Sequence, residues 1–303
     1  MTAQPLLAVD APSLYFRAFH GIPEKAAQTS AGEPVNAIRG FMDMLAQLIR
    51  TRHPDRIVCA LDNSWRPAWR VELVPSYKKH RVAHGDVEVV PPALEKQIPV
   101  LLEVLKAVGI PAFGVDGYEA DDVLGTLAAT QPAPVEVVSG DRDLFQLVDD
   151  ERGTRLLYCG RGVAKLEDAD NALVEAKYGV PAKWYADFAA MRGDASDGLP
   201  GVAGVGEKTA ARLVMRYGGV EEILAALDDP DAGFAPGLRT KLDDARDYLA
   251  RALPVCKVAL DVKLPEFDAE LPRSPKDPDA LLKLADRWNL ASSAKRLVDA
   301  LAG

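Results

Sequence analysis

Residues 6–10 read Leu-Leu-Ala-Val-Asp, a short apolar run that ends in an aspartate. Two later runs repeat this pattern: residues 56–62 read Arg-Ile-Val-Cys-Ala-Leu-Asp, and residues 135–141 read Val-Glu-Val-Val-Ser-Gly-Asp. Short apolar runs of this kind predict buried strands. Amphipathic helical patterns alternate with them, for example at 34–52 and 93–108. The alternation predicts an α/β fold with a mixed, mostly parallel central sheet flanked by helices.

The pattern changes near residue 180, where strand signals end. The sequence therefore predicts an α/β core at 1–180 and an all-helical region at 181–303. Residues 63–92 form a basic insertion with several prolines and little apolar periodicity, and we expect this insertion to be mobile. Helical periodicity in the second region covers 181–193, 207–217, 219–227, 237–252 and 278–300.

The composition is that of a globular protein, because 48% of the 303 residues are hydrophobic and 27% are charged. The formal net charge of −9 counts against an anionic membrane surface and, taken alone, against nucleic acid. The three cysteines lie far apart, which favours free thiols in a reducing compartment. Neither a signal peptide nor a membrane span is predicted. We expect a monomeric cytoplasmic protein.

Acidic residues follow three of the predicted strands and recur in two further motifs. A single aspartate at a strand end or in a first helical turn is usually a cap or turn residue. Several aspartates together call for another explanation, because the carboxyl ends of parallel strands meet at one edge of the sheet. Two unpaired carboxylates about 4 Å apart repel each other by about 4 kcal/mol at an effective dielectric constant near 20. The cluster therefore predicts a site for two or more Mg²⁺ or Mn²⁺ ions, which suits phosphodiester hydrolysis. The candidate ligands are Asp10, Asp62, Glu119, Asp121, Asp122, Asp141, Asp143, Asp194 and Asp197.

A glycine-rich hairpin separates two predicted helices at residues 199–210, which read LPGVAGVGEKTA. Glycines let backbone N–H groups approach an anion, and the following helix N-terminus adds a positive dipole. Lys208 and Arg212 add charge. The hairpin is thus predicted to contact phosphates of a nucleic-acid backbone, although a plain turn before a capped helix is the alternative.

Four stretches together resemble the 5′-nuclease family of flap endonucleases and 5′→3′ exonucleases. The stretches occur in the family's order, and the resemblance covers nearly the whole chain. The chain is similar to the 5′-nuclease domain of bacterial DNA polymerase I. Because the sequence ends near residue 300, the resemblance implies a stand-alone 5′-nuclease. The stretches are 7–20 (LAVDAPSLYFRAFH), 118–128 (YEADDVLGTLA), 138–148 (VSGDRDLFQLV) and 191–213 (MRGDASDGLPGVAGVGEKTAARL).

The resemblance implies a PIN-like core, a helical arch at about 63–92 and a helix-hairpin-helix at about 184–217. It implies a divalent-metal-dependent flap endonuclease and 5′→3′ exonuclease that acts on 5′ flaps, 5′ ends and nicked or gapped duplex DNA in replication and repair. RNA primers in RNA–DNA hybrids are further implied substrates. The resemblance also implies a K⁺ ion on backbone carbonyls of the hairpin.

Residue roles carried over from the family extend the list beyond the carboxylates. Arg17 and Lys78 match positions near the scissile phosphate, and both are assigned to catalysis. The residues assigned to DNA contact are Arg17, Arg70, Lys78, Arg81, Gly201, Gly204, Gly206, Lys208 and Thr209.

Three positions depart from the family pattern. Ala11, Asn63 and Gly198 stand where the family usually has Gly, Ala and Asn, and none of these changes removes a proposed ligand. Two other interpretations stay open from the residues alone. One is a non-catalytic or weakly active junction-binding protein that keeps the aspartates as relics, and the other is a PIN-like RNase with the same acidic edge.

Overall fold

A computed structural model of the chain describes residues 4–85 and 87–303. Its strands fall into a central sheet and a small separate hairpin. They are β1 (Leu6–Asp10), β2 (Arg56–Ala60), β3 (Val82–His84), β4 (Val87–Glu88), β5 (Ala112–Phe113), β6 (Val135–Ser139), β7 (Thr154–Tyr158) and β8 (Glu167–Ala169).

The central sheet has the order β5-β2-β1-β6-β7-β8 within the described residues. Its first five strands in this order are parallel, and β8 pairs antiparallel with β7. The predicted mixed, mostly parallel sheet is therefore confirmed. Because β1 lies between β2 and β6, the carboxyl ends of three aspartate-bearing strand segments meet at one edge.

The strands are buried on both faces, which explains why their sequences read as continuous apolar runs. Along β1, Leu7 and Val9 pack into one hydrophobic layer, whereas Leu6 and Ala8 pack into the other. All four side chains are fully buried. The two layers are covered by different sets of helices.

Helices of the first region alternate with the strands as predicted. The pattern at 93–108 forms two helices instead of one, because Pro99 lacks an N–H and its ring clashes with the carbonyl of Glu95, where the first helix ends. The helices of this region are α1 (Ala11–Gly21), α2 (Asn36–Arg52), α3 (Ala68–Leu73), α4 (Pro92–Glu95), α5 (Gln97–Val108), α6 (Ala120–Thr130) and α7 (Asn171–Tyr178).

The second region is helical, as predicted, but two of its long patterns are each divided. The 237–252 pattern breaks at Ala245, and the 278–300 pattern breaks before Leu290, where Asn289 has a left-handed φ of 52°. The helices are α8 (Tyr185–Arg192), α9 (Glu207–Tyr217), α10 (Val220–Ala226), α11 (Pro236–Asp244), α12 (Arg246–Cys256), α13 (Pro278–Arg287) and α14 (Ala291–Ala302).

The last two helices pack on the α/β core and not on the other helices of their region. Leu297 and Leu301 of α14 are buried in the same layer as Leu7 and Ile38. Arg296 donates two hydrogen bonds to Asp43 of α2, at 2.8 and 2.9 Å. The chain thus crosses back over the core after α12.

Replacing Leu297 with alanine is expected to lower the free energy of unfolding by about 2–5 kcal/mol, because the fully buried side chain leaves a cavity between α14 and α2. Urea unfolding followed by circular dichroism measures the change. Leu282 of α13 is 61% exposed, so Leu282→Ala is the matched control and is expected to stay within about 0.5 kcal/mol of wild type. Equal midpoints for the two variants would contradict the packing.

The insertion at 63–92 is only partly helical. It contains α3, a 3₁₀ turn at Lys79–Arg81 and the β3–β4 hairpin. Its first half is packed against the helical region, since Val74 and Tyr77 are buried with Ala190 and Val255. Residues 63–81 are thus packed into the fold, and the expected mobility of the insertion stays a prediction; Asp86 lies outside the described residues.

The three cysteines are buried and free, as predicted from their spacing. No helix among residues 4–85 and 87–303 is long and apolar enough to cross a membrane.

Candidate active site

Carboxylates from five separate segments line one cavity at the carboxyl edge of the sheet. The cavity has a volume of about 220 Å³. Lys78 and Arg81 of the insertion line the same cavity. The strand-end aspartates predicted to converge are thus brought together. Five of the lining carboxylates form no ion pair within the described residues, and the sixth, Glu119, pairs with Arg70 and Lys78. The five are Asp10, Asp62, Glu88, Asp121 and Asp141.

Asp10 ends β1 and is also the N-cap of α1. Its Oδ1 accepts a hydrogen bond from the Ser13 backbone N–H at 3.0 Å, and its Oδ2 accepts one from the Ser139 hydroxyl. Burial, together with the nearby charges of Asp62 and Asp141, raises the pKa of Asp10 to about 7. Ala11 begins the helix and is fully buried, so the helical turn accommodates the departure from glycine.

Asp62 and Asp121 reach the cavity from the loop after β2 and the first turn of α6. Asp62 accepts a hydrogen bond from the Ala120 N–H at 2.7 Å, which ties the two segments together. Burial and the neighbouring Glu119 raise the pKa of Asp62, and burial with the charge of Asp141 raises the pKa of Asp121. Asn63 steadies the same loop by donating to Asp116 at 2.9 Å.

A second group of carboxylates, Asp143, Asp194 and Asp197, lies beside the cavity. Burial and the charges of Asp141, Asp197 and Asp194 raise the pKa of Asp143, and its Oδ1 is buried with no hydrogen-bond partner. Burial opposes ionisation of Asp194, but hydrogen bonds from Ser196 outweigh burial and hold the pKa of Asp194 below its usual value.

Glu119 and Asp122, both predicted as metal ligands, are occupied by protein cations. The Arg70 guanidinium contacts both carboxylates, and Lys78 contacts Glu119. Tyr77 donates its hydroxyl hydrogen to Glu119 at 2.6 Å. Asp122 is fully buried and also accepts from the Glu119 and Ala259 N–H groups. In this conformation both are ion-pair partners, and Glu119 also lines the cavity, so their assignment as metal ligands stays a prediction.

Arg70, predicted to contact DNA, is 2% exposed. Its two terminal nitrogens donate to Glu119, Asp122 and the Lys257 carbonyl. Both terminal nitrogens are thus occupied by protein groups in this structure, and its assignment to DNA contact stays a prediction.

The remaining carboxylates fit divalent cations by their chemistry. Within the described residues, no three or more His, Cys, Asp or Glu side chains form a compact metal-binding group. The four cavity aspartates nevertheless lack ion-pair partners in the described part of the chain, and the second group contains the unpartnered Asp143 Oδ1. Oxygen-only donors of this kind suit hard cations such as Mg²⁺ and Mn²⁺.

Lys78 and Arg81 connect the insertion to both carboxylate groups. The Lys78 N–H donates to the Asp197 carbonyl at 2.9 Å, and Arg81 donates to the Asp197 carboxylate at 3.1 Å. Gly198 permits this contact: its φ is +70°, and a Cβ there would lie 2.2 Å from the Ser76 carbonyl oxygen. The glycine in place of the family's asparagine therefore has a steric reason.

Arg17 lies at the rim of the site, on α1. Its Nη1 donates to the Gly160 carbonyl at 3.3 Å, and its Nε is buried without a partner. The guanidinium packs close to Gly140, which precedes Asp141. Arg17 is thus next to the segment that carries Asp141, and its assignment to catalysis and DNA contact stays a prediction.

The glycine hairpin joins α8 to α9 directly after the loop that carries Asp194 and Asp197. Gly201 has a φ of +70°, and a Cβ there would lie 2.6 Å from the Arg192 carbonyl oxygen, so the tight turn requires glycine. Gly204, Gly206 and Lys208 are exposed, and Thr209 is half-buried. Gly206 is the N-cap of α9. The predicted hairpin residues therefore stand together on an accessible surface.

Two family models together match most of the chain. The 5′-3′ exonuclease N-terminal resolvase-like domain matches residues 5–179, and the 5′-3′ exonuclease C-terminal SAM fold matches residues 180–279. The chain belongs to the 5′-3′ exonuclease family. As a member of this family it is a nuclease, and the resemblance drawn from its motifs is confirmed.

Two curated relatives of the 5′-3′ exonuclease family extend this result over the full sequence. A 5′-3′ exonuclease of Streptomyces coelicolor is 50% identical over 300 residues, covering 97% of this chain and 99% of the relative. A 5′-3′ exonuclease of Mycobacterium tuberculosis is 47% identical, covering 98% of each.

A solved structure supports the same fold at low identity. It is a pseudo-enzyme–product complex of the bacteriophage T5 flap endonuclease with DNA and metal ions. It aligns with a TM-score of 0.65 at 16% identity, covering 99% of this chain and 100% of the other. The predicted fold class of this 5′-3′ exonuclease is therefore confirmed.

Sequence reasoning missed several residues of the 5′-3′ exonuclease site. Glu88 of β4 lines the cavity, and Ser139 holds Asp10. Arg192 donates to Asp194 at 3.3 Å. Ser139 and Arg192 each precede a Gly-Asp pair and so had a local signal, whereas Glu88 is recognisable only once the chain is folded.

Proposed function

We propose that this 5′-3′ exonuclease is divalent-metal-dependent and cleaves phosphodiester bonds at 5′ ends and flaps of DNA. One observation carries the proposal: Asp10, Asp62, Asp121 and Asp141 surround a single cavity without ion pairs in the described part of the chain. The metal ions and DNA in the T5 flap endonuclease complex support it. Mg²⁺ or Mn²⁺ is the proposed ion, because every donor is an oxygen.

The hairpin supports binding of duplex DNA next to the cavity. Exposed backbone at Gly204 and Gly206 and the N-terminus of α9 favour phosphate contact, and Lys208 adds charge. These contacts position the duplex without reading its sequence. The same exposed backbone supports the K⁺ ion implied by the resemblance.

The two carboxylate groups and the insertion would have different roles in the proposed reaction. The cavity carboxylates, together with Asp143, Asp194 and Asp197, would hold the ions. Bound divalent ions supply activation of water and stabilisation of the leaving oxygen. Lys78 and Arg81 line the cavity and would orient the scissile phosphate by their charge. Tyr77 and Arg70 keep Glu119 in place beneath Lys78.

A comparison of three substrates tests the proposed function. The chain is incubated with 5′-flap DNA, blunt duplex DNA and single-stranded RNA, each with Mn²⁺, Mg²⁺ or a chelator. We expect metal-dependent release of short 5′ products from the DNA substrates, with the flap preferred. Cleavage of RNA alone would favour the PIN-like RNase, and flap binding without any metal-dependent product would favour the junction-binding protein.

A further inference from the structure

The insertion turns one carboxylate into the cavity. Glu88 of β4 is half-buried and lines the cavity, whereas the other lining carboxylates come from the edge of the sheet and the start of α6. Its neighbours Val87 and Val89 are 63% and 60% exposed. A strand with one face in water normally turns its charged side chains outward and its apolar ones inward. The inverted pattern indicates a functional reason for the position of Glu88.

The β3–β4 hairpin keeps Glu88 beside Arg81. Glu88 is paired with Val82 across the hairpin, and the Val89 N–H donates to the Arg81 carbonyl at 2.8 Å. Arg81 and Lys78 line the same cavity as Glu88. Burial holds the pKa of Glu88 above its usual value, although the charges of Arg81 and Lys78 oppose this rise. The Glu88 carboxylate therefore lies within the electrostatic reach of both cations.

Arg81 and Lys78 already have carboxylate partners of their own. Arg81 pairs with Asp197 at 3.1 Å, and Lys78 pairs with Glu119. Glu88 is thus a third carboxylate near two cations, and it forms no ion pair within the described residues. Little positive charge is left for an incoming phosphate unless one of the three carboxylates moves away.

Glu88 is the carboxylate that can move. Glu119 is buried and is also held by Tyr77 and Arg70. The Asp197 side chain is only 15% exposed. Glu88, by contrast, belongs to a two-stranded hairpin that pairs with no other strand in the described ranges, and such a hairpin is only marginally stable. An entering DNA strand can therefore displace Glu88 without disturbing the edge of the sheet.

We propose that Glu88 is a specificity-determining residue of this 5′-3′ exonuclease. Its carboxylate competes with an entering DNA strand for Arg81 and Lys78. It therefore weakens the binding of a strand that enters the cavity and leaves the binding of duplex DNA at the glycine hairpin unchanged. The inference rests on the proposed function, because it assumes that Arg81 and Lys78 orient the scissile phosphate.

Steady-state cleavage of a 5′-flap DNA with Mn²⁺ tests the inference, because it gives KM and kcat separately. Glu88→Gln keeps the size of the side chain and removes its charge, so we expect KM to fall by about threefold to tenfold with little change in kcat. Glu88→Asp keeps the charge and is expected to stay within about twofold of the wild-type KM. Fluorescence anisotropy with labelled blunt duplex DNA is expected to give the wild-type Kd for both variants.

Glu266 provides the matched control. It is exposed and lies beside Asp55, at the opposite edge of the sheet. Glu266→Gln changes the net charge equally and is expected to keep the wild-type KM. A double variant tests the competition itself. In an Arg81→Gln background, Glu88→Gln is expected to lower KM by a smaller factor than in wild type, because one of the two contested cations is absent.

Two results overturn the inference, and a third reaches further. An unchanged KM for Glu88→Gln shows that its charge does not oppose the entering strand. A higher KM or a lower kcat shows that Glu88 assists the reaction instead of competing with the substrate. A wild-type protein without metal-dependent cleavage overturns the proposed function itself, so the two failures are distinguishable.

Discussion

Asp141→Asn combined with Asp143→Asn is expected to slow cleavage of a 5′-flap DNA by at least about 10³-fold, because it removes one carboxylate from each group. Affinity for duplex DNA should stay near that of wild type, since the exposed hairpin with Lys208 is untouched. Single-turnover cleavage with Mn²⁺ and fluorescence anisotropy with labelled duplex measure the two quantities.

The double variant should not be less stable than wild type. Burial and the surrounding acidic charges disfavour ionised Asp143, so a neutral amide relieves repulsion. Asp261 is exposed on the segment after α12, and Asp261→Asn is the matched control, with cleavage and urea midpoint both unchanged. If the double variant cleaved flap DNA at the wild-type rate, Asp141 and Asp143 would have no role in catalysis.

Arg70→Met is expected to lower the free energy of unfolding by about 3–5 kcal/mol, because it leaves buried carboxylates without their cation. Asp122 is fully buried and has no other ion-pair partner among the described residues, whereas Glu119 retains Lys78. Urea unfolding at neutral pH measures the loss.

Arg155 offers a matched control with the opposite environment. It also contacts two aspartates, Asp168 and Asp170, but its side chain is 40% exposed. Arg155→Met is therefore expected to cost only about 0–1 kcal/mol. If Arg70→Met were as stable as wild type and bound DNA more weakly, Arg70 would have to leave its buried position to contact DNA.

The sheet and the position of its acidic edge could be predicted from the sequence because both follow from local patterns. Apolar runs marked the strands, and the residues after them placed Asp10, Asp62 and Asp141 at one edge. The glycines of the hairpin likewise indicated their own backbone geometry. These features depend on residues close together in the chain.

The division of the carboxylates into open and occupied ones could not be predicted in this way. Asp121 and Asp122 are neighbours in sequence, yet one lines the cavity and the other meets Arg70. Successive residues of a helix point in different directions, and the partner comes from about fifty positions earlier in the chain. The partners of the basic residues in the insertion could not be predicted either. The sequence shows that Arg70 and Lys78 are charged, but it does not show that buried carboxylates contact them.

The packing of α14 against α2 has a consequence for synthesis of the protein. All the acidic residues of the site have been synthesised by the end of α8 and its following loop, but the layer that contains Leu7 and Ile38 still lacks the side chains of α13 and α14. It is completed only when Leu297 arrives, almost three hundred residues after β1. Contacts this distant in sequence form late. The nascent chain therefore cannot complete this layer during most of its translation, and the acidic edge acquires its full support only when the C-terminal helix emerges.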